Sequence, residues 1–294
     1  MNHAVSIEAP AKVNLRLRVL GRRPDGFHEL DTVFQAIDFS DRLVVQLGGE
    51  GVQIEVAGPD LGAVEENLAY RAAVAFMDAT ALDVGVHVSL TKRIPAGAGL
   101  GGGSSDAGAV LTALQHLTGD PLEGADVLRI ASGLGADVPF FVCGSALAVG
   151  SGKGDLLERL EPLREVDMLV VLPPVHVATR AAFAGLSRSD VSLRSSEHHA
   201  ESARCESWEI VAASATNDFE AGVGEAHPEV SRALAALRSR GYPLTMLSGS
   251  GSACFAVVGE GADPASDAAE LSAELGWPCI VTRTLRAPPR PRPA

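Results

Sequence analysis

The run Pro95-Ala96-Gly97-Ala98-Gly99-Leu100-Gly101-Gly102-Gly103-Ser104-Ser105-Asp106 places five glycines in seven positions. Glycine has no side chain to pack and tolerates positive φ, so the stretch leaves backbone N–H groups bare and lets them converge on one anion. Ala107, Val110, Leu111, Leu114 and Leu117 follow at helical spacing, which directs the loop into the N-terminus of an amphipathic helix. Unpaired first-turn N–H groups and the positive end of the helix dipole favour negative charge at that point. The chemistry implied is phosphate binding. Gly97-x-Gly99-x-x-Gly102 also has the spacing of a dinucleotide fingerprint. That fingerprint needs an acidic residue ~20 positions on, at the end of a strand, where this chain has a second helical pattern with a glycine stop.

Three other groups have side chains suited to chemistry. Asp137 follows Leu134-Gly135-Ala136 and precedes Val138-Pro139-Phe140-Phe141, a carboxylate in apolar company at what reads as a helix-to-strand corner. It suits a functional acid or base, or an aspartate that stiffens a turn. Lys12 and Asn14 share one face of a strand, as a functional cation with a polar neighbour or as a solvated edge. Ser248-Gly249-Ser250-Gly251-Ser252 is either a plain hairpin loop or a second small-residue loop that meets the first over one ligand.

The elements that position these groups are legible in outline. Val13, Leu15, Leu17 and Val19 alternate with polar residues and predict a half-buried strand, broken by Arg22-Arg23-Pro24-Asp25-Gly26. Strands at Leu43–Leu47 and Val52–Val56, joined by Gly48-Gly49-Glu50-Gly51, predict a hairpin. A helix capped by Asn67 follows, then a strand through Val84, Val86, Val88 and Leu90 leading into the glycine loop. The loop thus lies between strand and helix, the setting a phosphate loop needs. Leu128, Ile130, Ala131 and Leu134 mark a second helix, Ser145–Val149 a strand, and Gly150–Asp155 a turn or domain joint. Beyond it come a strand at Met168–Leu172, helical signals around Ala178–Leu186, and a polar tract at 187–207 that reads as a mobile excursion. Helices at Pro228–Arg240 and Pro264–Leu275 alternate with strands at Leu244–Leu247, Ala253–Val258 and Cys279–Leu285, a split βαβ pattern. The predicted divisions are 1–160, 161–286 and an unpacked proline- and arginine-rich tail at 287–294.

The 294 residues can bury an ample core, and 46% hydrophobic with 21% charged residues is a globular composition. Twenty-four basic against 37 acidic side chains give a net charge of −13, which argues against nucleic acid or anionic membrane as partner. No apolar run reaches the ~18 residues of a membrane span. The N-terminal residues lack the order of a signal peptide. Cys143, Cys205, Cys254 and Cys279 are widely separated, which argues against zinc sites and disulfides and fits a cytoplasmic location.

Taken together, these stretches resemble the GHMP kinases, a superfamily of small-molecule kinases. Pro95–Ala107 is similar to their phosphate loop. Ala9-Pro10-Ala11-Lys12-Val13-Asn14-Leu15, Arg23-Pro24-Asp25-Gly26-Phe27-His28-Glu29-Leu30 and Leu134-Gly135-Ala136-Asp137-Val138-Pro139 match further motifs in order, as do Asn217-Asp218-Phe219-Glu220 and Leu247–Ser252. The resemblance implies an α+β fold of two domains, the first like domain 2 of ribosomal protein S5 and the second ferredoxin-like. It implies transfer of the γ-phosphoryl of ATP, with Mg2+, to an alcohol, and the branch it most resembles acts on a cytidine diphosphate sugar alcohol. In that reading Pro95, Ala96, Gly97, Ala98, Gly99, Leu100, Gly101, Gly102, Gly103, Ser104 and Ser105 bind ATP, Asp137 is the base, and Lys12 stands beside it. Asn14, Phe27, His28, Thr179, Phe183, Gly249 and Ser250 would bind the acceptor, with Phe27 and Phe183 stacking on the cytosine. Phe27 replaces the tyrosine usual in the family, so the ring can stack but a phenol hydrogen bond is lost. No protein ligand for magnesium follows from the resemblance, Ser105 being a candidate.

Overall fold

The computed structural model of the chain describes residues 3–59, 62–186 and 205–294. The expected polar tract therefore lies outside the described residues between 187 and 204.

The elements, in chain order, are strands β1 (Ala4–Arg22), β2 (His28–Leu47) and β3 (Val52–Ala57), helix α1 (Leu68–Thr80), strand β4 (Val86–Thr91), and helices α2 (Gly102–Thr118), α3 (Gly124–Leu134) and α4 (Val138–Val142). Strands β5 (Leu147–Ser151), β6 (Leu156–Arg159) and β7 (Asp167–Val171) follow, then α5 (Thr179–Ala184). The chain is described again from α6 (Trp208–Ser214) through β8 (Thr216–Asn217), α7 (Glu220–Ala226), α8 (Pro228–Arg238), β9 (Leu244–Leu247) and β10 (Cys254–Val257). It ends with α9 (Pro264–Leu275), β11 (Cys279–Arg283) and β12 (Arg292–Pro293).

An eight-stranded sheet has the main order β12-β1-β2-β4-β3, with β5 on β2, β6 on β5 and β8 on β1. A four-stranded sheet, β11-β7-β10-β9, takes the second half. Its order is fourth, first, third, second strand, with helices between the first and second and between the third and fourth, which is a split βαβ arrangement. The chain leaves the first sheet at Arg159 and enters the second at Asp167.

Three of the four apolar clusters among the described residues join the main layers. Val5, Ile7, Leu43, Val45, Val86, Val88 and Leu90 on the first sheet meet Phe76, Val110, Leu111 and Leu114 on α1 and α2. Burying a Val, Leu or Phe side chain completely contributes roughly 1.5–3 kcal/mol, so the helix that carries the glycine loop is held by its apolar stripe rather than by the loop. Val13, Leu15, Val33 and Ile37 pack against Met168, Val170, Met246 and Phe255 of the second sheet. Behind that sheet, Leu234, Leu237, Leu271 and Leu275 of α8 and α9 meet Leu169, Val171, Cys254 and Ala256.

Three local expectations change and one alternative is decided. The β2–β3 hairpin does not form: β4 pairs antiparallel with β2 and parallel with β3. The buried alternation of β4 claims the place beside β2, and β3, mostly exposed, is left at the edge. Val138–Val142 is helical rather than extended, with Pro139 near its start, where a fixed φ and a missing N–H cost least. Of the two readings of Gly150–Asp155 the turn is the one observed, between β5 and β6. The end of the tail pairs with the first sheet while its side chains stay outside the core: Val5 and Ser6 face Pro293 and Arg292 across β1 and β12.

Candidate active site

β4 delivers the chain into the glycine loop, and Gly97, Gly99 and Gly101 all have φ between 69° and 77°, the left-handed region that other residues enter at a cost. Helix α2 begins at Gly102, one turn earlier than its apolar stripe predicts, with Gly101 as an N-cap that offers no side-chain bond. Ser104 and Ser105 thus fall in the first turn and do not cap it. The first-turn N–H groups are left for a ligand.

The loop is held from two sides. The Lys12 N–H donates to the Leu100 carbonyl at 2.9 Å, tying the loop to β1. On the other side the second small-residue run grips it: Ser248 Oγ donates to the Gly99 carbonyl at 3.1 Å, and the Ala253 N–H to the Ala98 carbonyl at 3.0 Å. A Cβ on Gly99 would stand 2.0 Å from the Ser248 carbonyl oxygen. Asn217 fixes the second run in turn, donating to the carbonyls of Leu247 and Gly249 at 2.9 and 2.8 Å.

One cleft of about 1040 Å³ runs between these loops. Pro95, Ala96, Gly97, Ala98 and Gly99 line it, as do Gly101, Gly102, Gly103 and Ser104. Leu100 instead turns into the core at 1% exposure. The Ser105 hydroxyl is buried without a hydrogen-bond partner, and the residue lines a separate, small cavity with Pro10, Ala109 and Phe140.

Lys12, Asn14 and Asp137 meet on the cleft wall. Lys12 Nζ donates to Asn14 Oδ1 at 2.7 Å and stands 3.4 Å from Asp137 Oδ2. Its side chain is 4% exposed, that of Asp137 33%. A buried ammonium needs such partners, while the more open carboxylate keeps access to a ligand. Asn14 donates to Thr32 Oγ1 at 2.8 Å, and Thr32 to the Arg16 carbonyl, so the amide that holds Lys12 is itself oriented from β2. The nitrogen also lies 5.6 Å from the Phe34 ring centroid.

Phe27, His28, Thr179, Phe183, Gly249 and Ser250 also line the cleft, Gly249 against the glycine loop, where a Cβ on it would stand 2.9 Å from the Gly99 carbonyl oxygen and 3.3 Å from Lys12 Nζ. The turn before β2 is set by Asp25, whose Oδ1 accepts the Phe27 N–H at 3.1 Å, and by Arg23, which pairs with Asp25 and Glu29. It leaves Phe27 56% exposed. Lys153 Nζ lies 5.0 Å from the Phe27 centroid. His28 and Phe183 stack on each other, centroids 4.4 Å apart and planes at 16°, and Phe219 meets Phe183 edge-on. Burial and the nearby Arg22 charge push the His28 imidazole below its ordinary pKa, favouring the neutral ring. Thr179 Oγ1 lies 3.1 Å from Ser250 Oγ, joining α5 to the second small-residue run.

Sequence reasoning passed over several participants. Asn67 and Leu68, at the start of α1, and Lys92 and Asp106 border the cleft beside the glycine loop. Lys92 Nζ donates to Asp106 Oδ2 at 2.7 Å and also to Asp41. The side chain of Lys92 is 4% exposed, that of Asp106 2% and that of Asp41 0%. Burial drives Asp106 up to about 7, with Asp41 adding to it and Lys92 opposing it. Only the position of Lys92 just before the loop, and of Asp106 just after it, hints at this cluster.

Comparison with known proteins places the geometry in a family. Residues 67–145 match the GHMP kinases N terminal domain, and residues 200–276 the GHMP kinases C terminal domain. The chain is 42% identical over 254 residues to the 4-diphosphocytidyl-2-C-methyl-D-erythritol kinase of Solibacter usitatus, covering 85% of this chain and 79% of that one. It is 34% identical to the enzyme of the same name from Persephonella marina, covering 94% and 98%. A crystal structure of 4-(cytidine 5'-diphospho)-2C-methyl-D-erythritol kinase superimposes with a TM-score of 0.75 at 36% identity, covering 95% of this chain and 98% of that one. Homoserine kinase from Cytophaga hutchinsonii, at 18% identity and a TM-score of 0.72 over 99% and 98% of the two chains, shares the fold. With two family domains and relatives matched over nearly their full length, the chain belongs to the GHMP kinases, in the family of 4-diphosphocytidyl-2-C-methyl-D-erythritol kinases.

Proposed function

We propose that this protein transfers the γ-phosphoryl group of ATP to the 2-hydroxyl of 4-diphosphocytidyl-2-C-methyl-D-erythritol, a step of the non-mevalonate isoprenoid pathway. The observation that carries the reading is the convergence of Lys12, Asn14 and Asp137 on the wall of the cleft that the glycine loop floors.

Phosphoryl transfer proceeds through a loose transition state, so placement and charge stabilisation outweigh full deprotonation of the nucleophile. The bare N–H groups of Gly97–Ser104 would cradle the phosphates. Asp137, partly open to the cleft, would accept the proton of the acceptor hydroxyl and aim its oxygen. Lys12, fixed by Asn14, would meet the charge that builds on the transferring group. Phe27, Phe183, His28 and Thr179 would hold the cytidine end, with Gly249 and Ser250 leaving room between the two small-residue loops.

Magnesium, when bound to the nucleotide, neutralises phosphate charge. Among the described residues no three His, Cys, Asp or Glu side chains come together to hold a metal. The proposal treats magnesium as arriving with ATP, bound chiefly by its phosphates. Likewise, no described helix is long and apolar enough to cross a membrane.

The test is ATP consumption over a panel of acceptors: the cytidine diphosphate sugar alcohol, mevalonate, phosphomevalonate, homoserine and galactose. Turnover with the first and not the others is expected. Turnover with a different alcohol would replace the acceptor, and ATP binding without turnover of any would recast the protein as a nucleotide-binding homologue.

A further inference from the structure

Asp41 lies on β2, 0% exposed and outside the cleft lining, yet its carboxylate holds the segment that leads into the glycine loop. One oxygen, Oδ1, accepts the backbone N–H groups of both Arg93 and Ile94, the latter at 2.8 Å. The other, Oδ2, accepts Lys92 Nζ. The residues Lys92, Arg93 and Ile94 that lead into the loop are thus tied to a single carboxylate.

Lys92 carries the tie across to the loop's exit. Its ammonium donates to Asp106 Oδ2 at 2.7 Å in the first turns of α2, and a Cβ on Gly102 would stand 3.3 Å from the same nitrogen and 2.9 Å from Ile94 Cγ2. Entry and exit of the loop therefore share one buried ion cluster. With two carboxylates against one ammonium, the cluster adds no net positive charge beneath an anion site. Electrostatic attraction of phosphate is not what this arrangement supplies; fixed geometry is.

We propose that Asp41 is the positioning residue of the phosphate loop, acting through Lys92 and two backbone amides to set where β4 ends and where the first turn of α2 begins. The proposal rests on the nucleotide reading of that loop. Asparagine at position 41 has one acceptor oxygen where the aspartate uses two, so in either orientation its NH2 faces a donor.

The experiment compares Asp41→Asn and Asp106→Ala with Val257→Ala, a buried change in the second sheet that lowers Tm without touching the cluster. Two readouts are taken: steady-state KM for ATP and for the acceptor, and amide hydrogen exchange of residues 95–102 in the nucleotide-free protein. Expected is a rise of about tenfold in KM for ATP, with KM for the acceptor within about twofold. Loop exchange should quicken in both cluster variants and stay unchanged in Val257→Ala. Should Asp41→Asn fail to fold, Asp106→Ala, which keeps the Asp41 tie to the backbone and removes the acceptor of Lys92 at the far end, gives the same pair of readouts. Loop exchange no faster than in Val257→Ala at equal loss of Tm would overturn the positioning role, whether or not ATP is the ligand. Faster exchange in a protein that consumes no ATP would leave it standing and overturn the nucleotide reading instead.

Discussion

Lys12 Nζ lies 2.7 Å from Asn14 Oδ1 and 3.4 Å from Asp137 Oδ2, so the ammonium is anchored to the asparagine and shared more loosely with the carboxylate. Removing the charge of Asp137 while keeping its shape isolates the proton acceptor. Asp137→Asn is expected to lower kcat by about 10²–10⁴-fold while ATP still binds, as read by steady-state kinetics alongside nucleotide titration. A kcat within a few-fold of the unaltered protein would remove Asp137 from the chemistry.

The anchor itself is testable. Asn14→Ala leaves the buried Lys12 ammonium without its nearest acceptor and Thr32 Oγ1 without its donor. Such an orphaned buried group costs roughly 1–3 kcal/mol. A lower Tm and a lower kcat are expected together, and normal kcat in a destabilised variant would show that Lys12 needs no orientation from β1.

Phe27 presents more than half of its surface to the cleft mouth, with Lys153 over its ring. Stacking of a base on an aromatic side chain contributes about 1–3 kcal/mol. Phe27→Ala should therefore raise KM for the cytidine acceptor roughly tenfold or more and leave KM for ATP nearly unchanged. Equal changes in both constants would refute the stacking role.

Gly99 shows how closely the two loops approach. A methyl group there meets the Ser248 carbonyl and must also adopt a φ of 77°, itself a penalty of about 1–2 kcal/mol. Gly99→Ala is expected to lower Tm and to abolish turnover by pushing the loops apart. Retained turnover would mean that the contact is dispensable.

Asp106 links the site to pH. An unfolded aspartate titrates near ~4, whereas burial holds the folded group at about 7. Between those values the native state binds the extra proton, so this group lowers stability progressively as pH rises from ~4 to ~7, and the loss is complete above that window. Asp106→Asn removes the slope, so its Tm relative to the unaltered protein should improve between pH 5 and pH 8, by about 2–4 °C for each kcal/mol recovered. A Tm difference independent of pH would place the titration elsewhere.

The residue types and spacing by themselves determined the glycine loop, its place between a strand and a helix, and the shared face of Lys12 and Asn14, because these depend on local conformational preference and on periods of 2 and 3.6 residues. They also marked the motifs by which the family is recognised. Tertiary structure decided which candidates meet. Gly99 and Ser248 lie 149 residues apart in sequence, and only the packing of the second sheet on β1 and β2 brings them into contact. The β2–β3 pairing failed for a related reason: turn chemistry proposed a hairpin, and the better-buried β4 took its place. The proline-rich tail carries no local pattern, and it became ordered by pairing with the free edge of β1. The Asp41–Lys92–Asp106 cluster stayed hidden because each member is an ordinary charged residue until the fold withdraws all three from water.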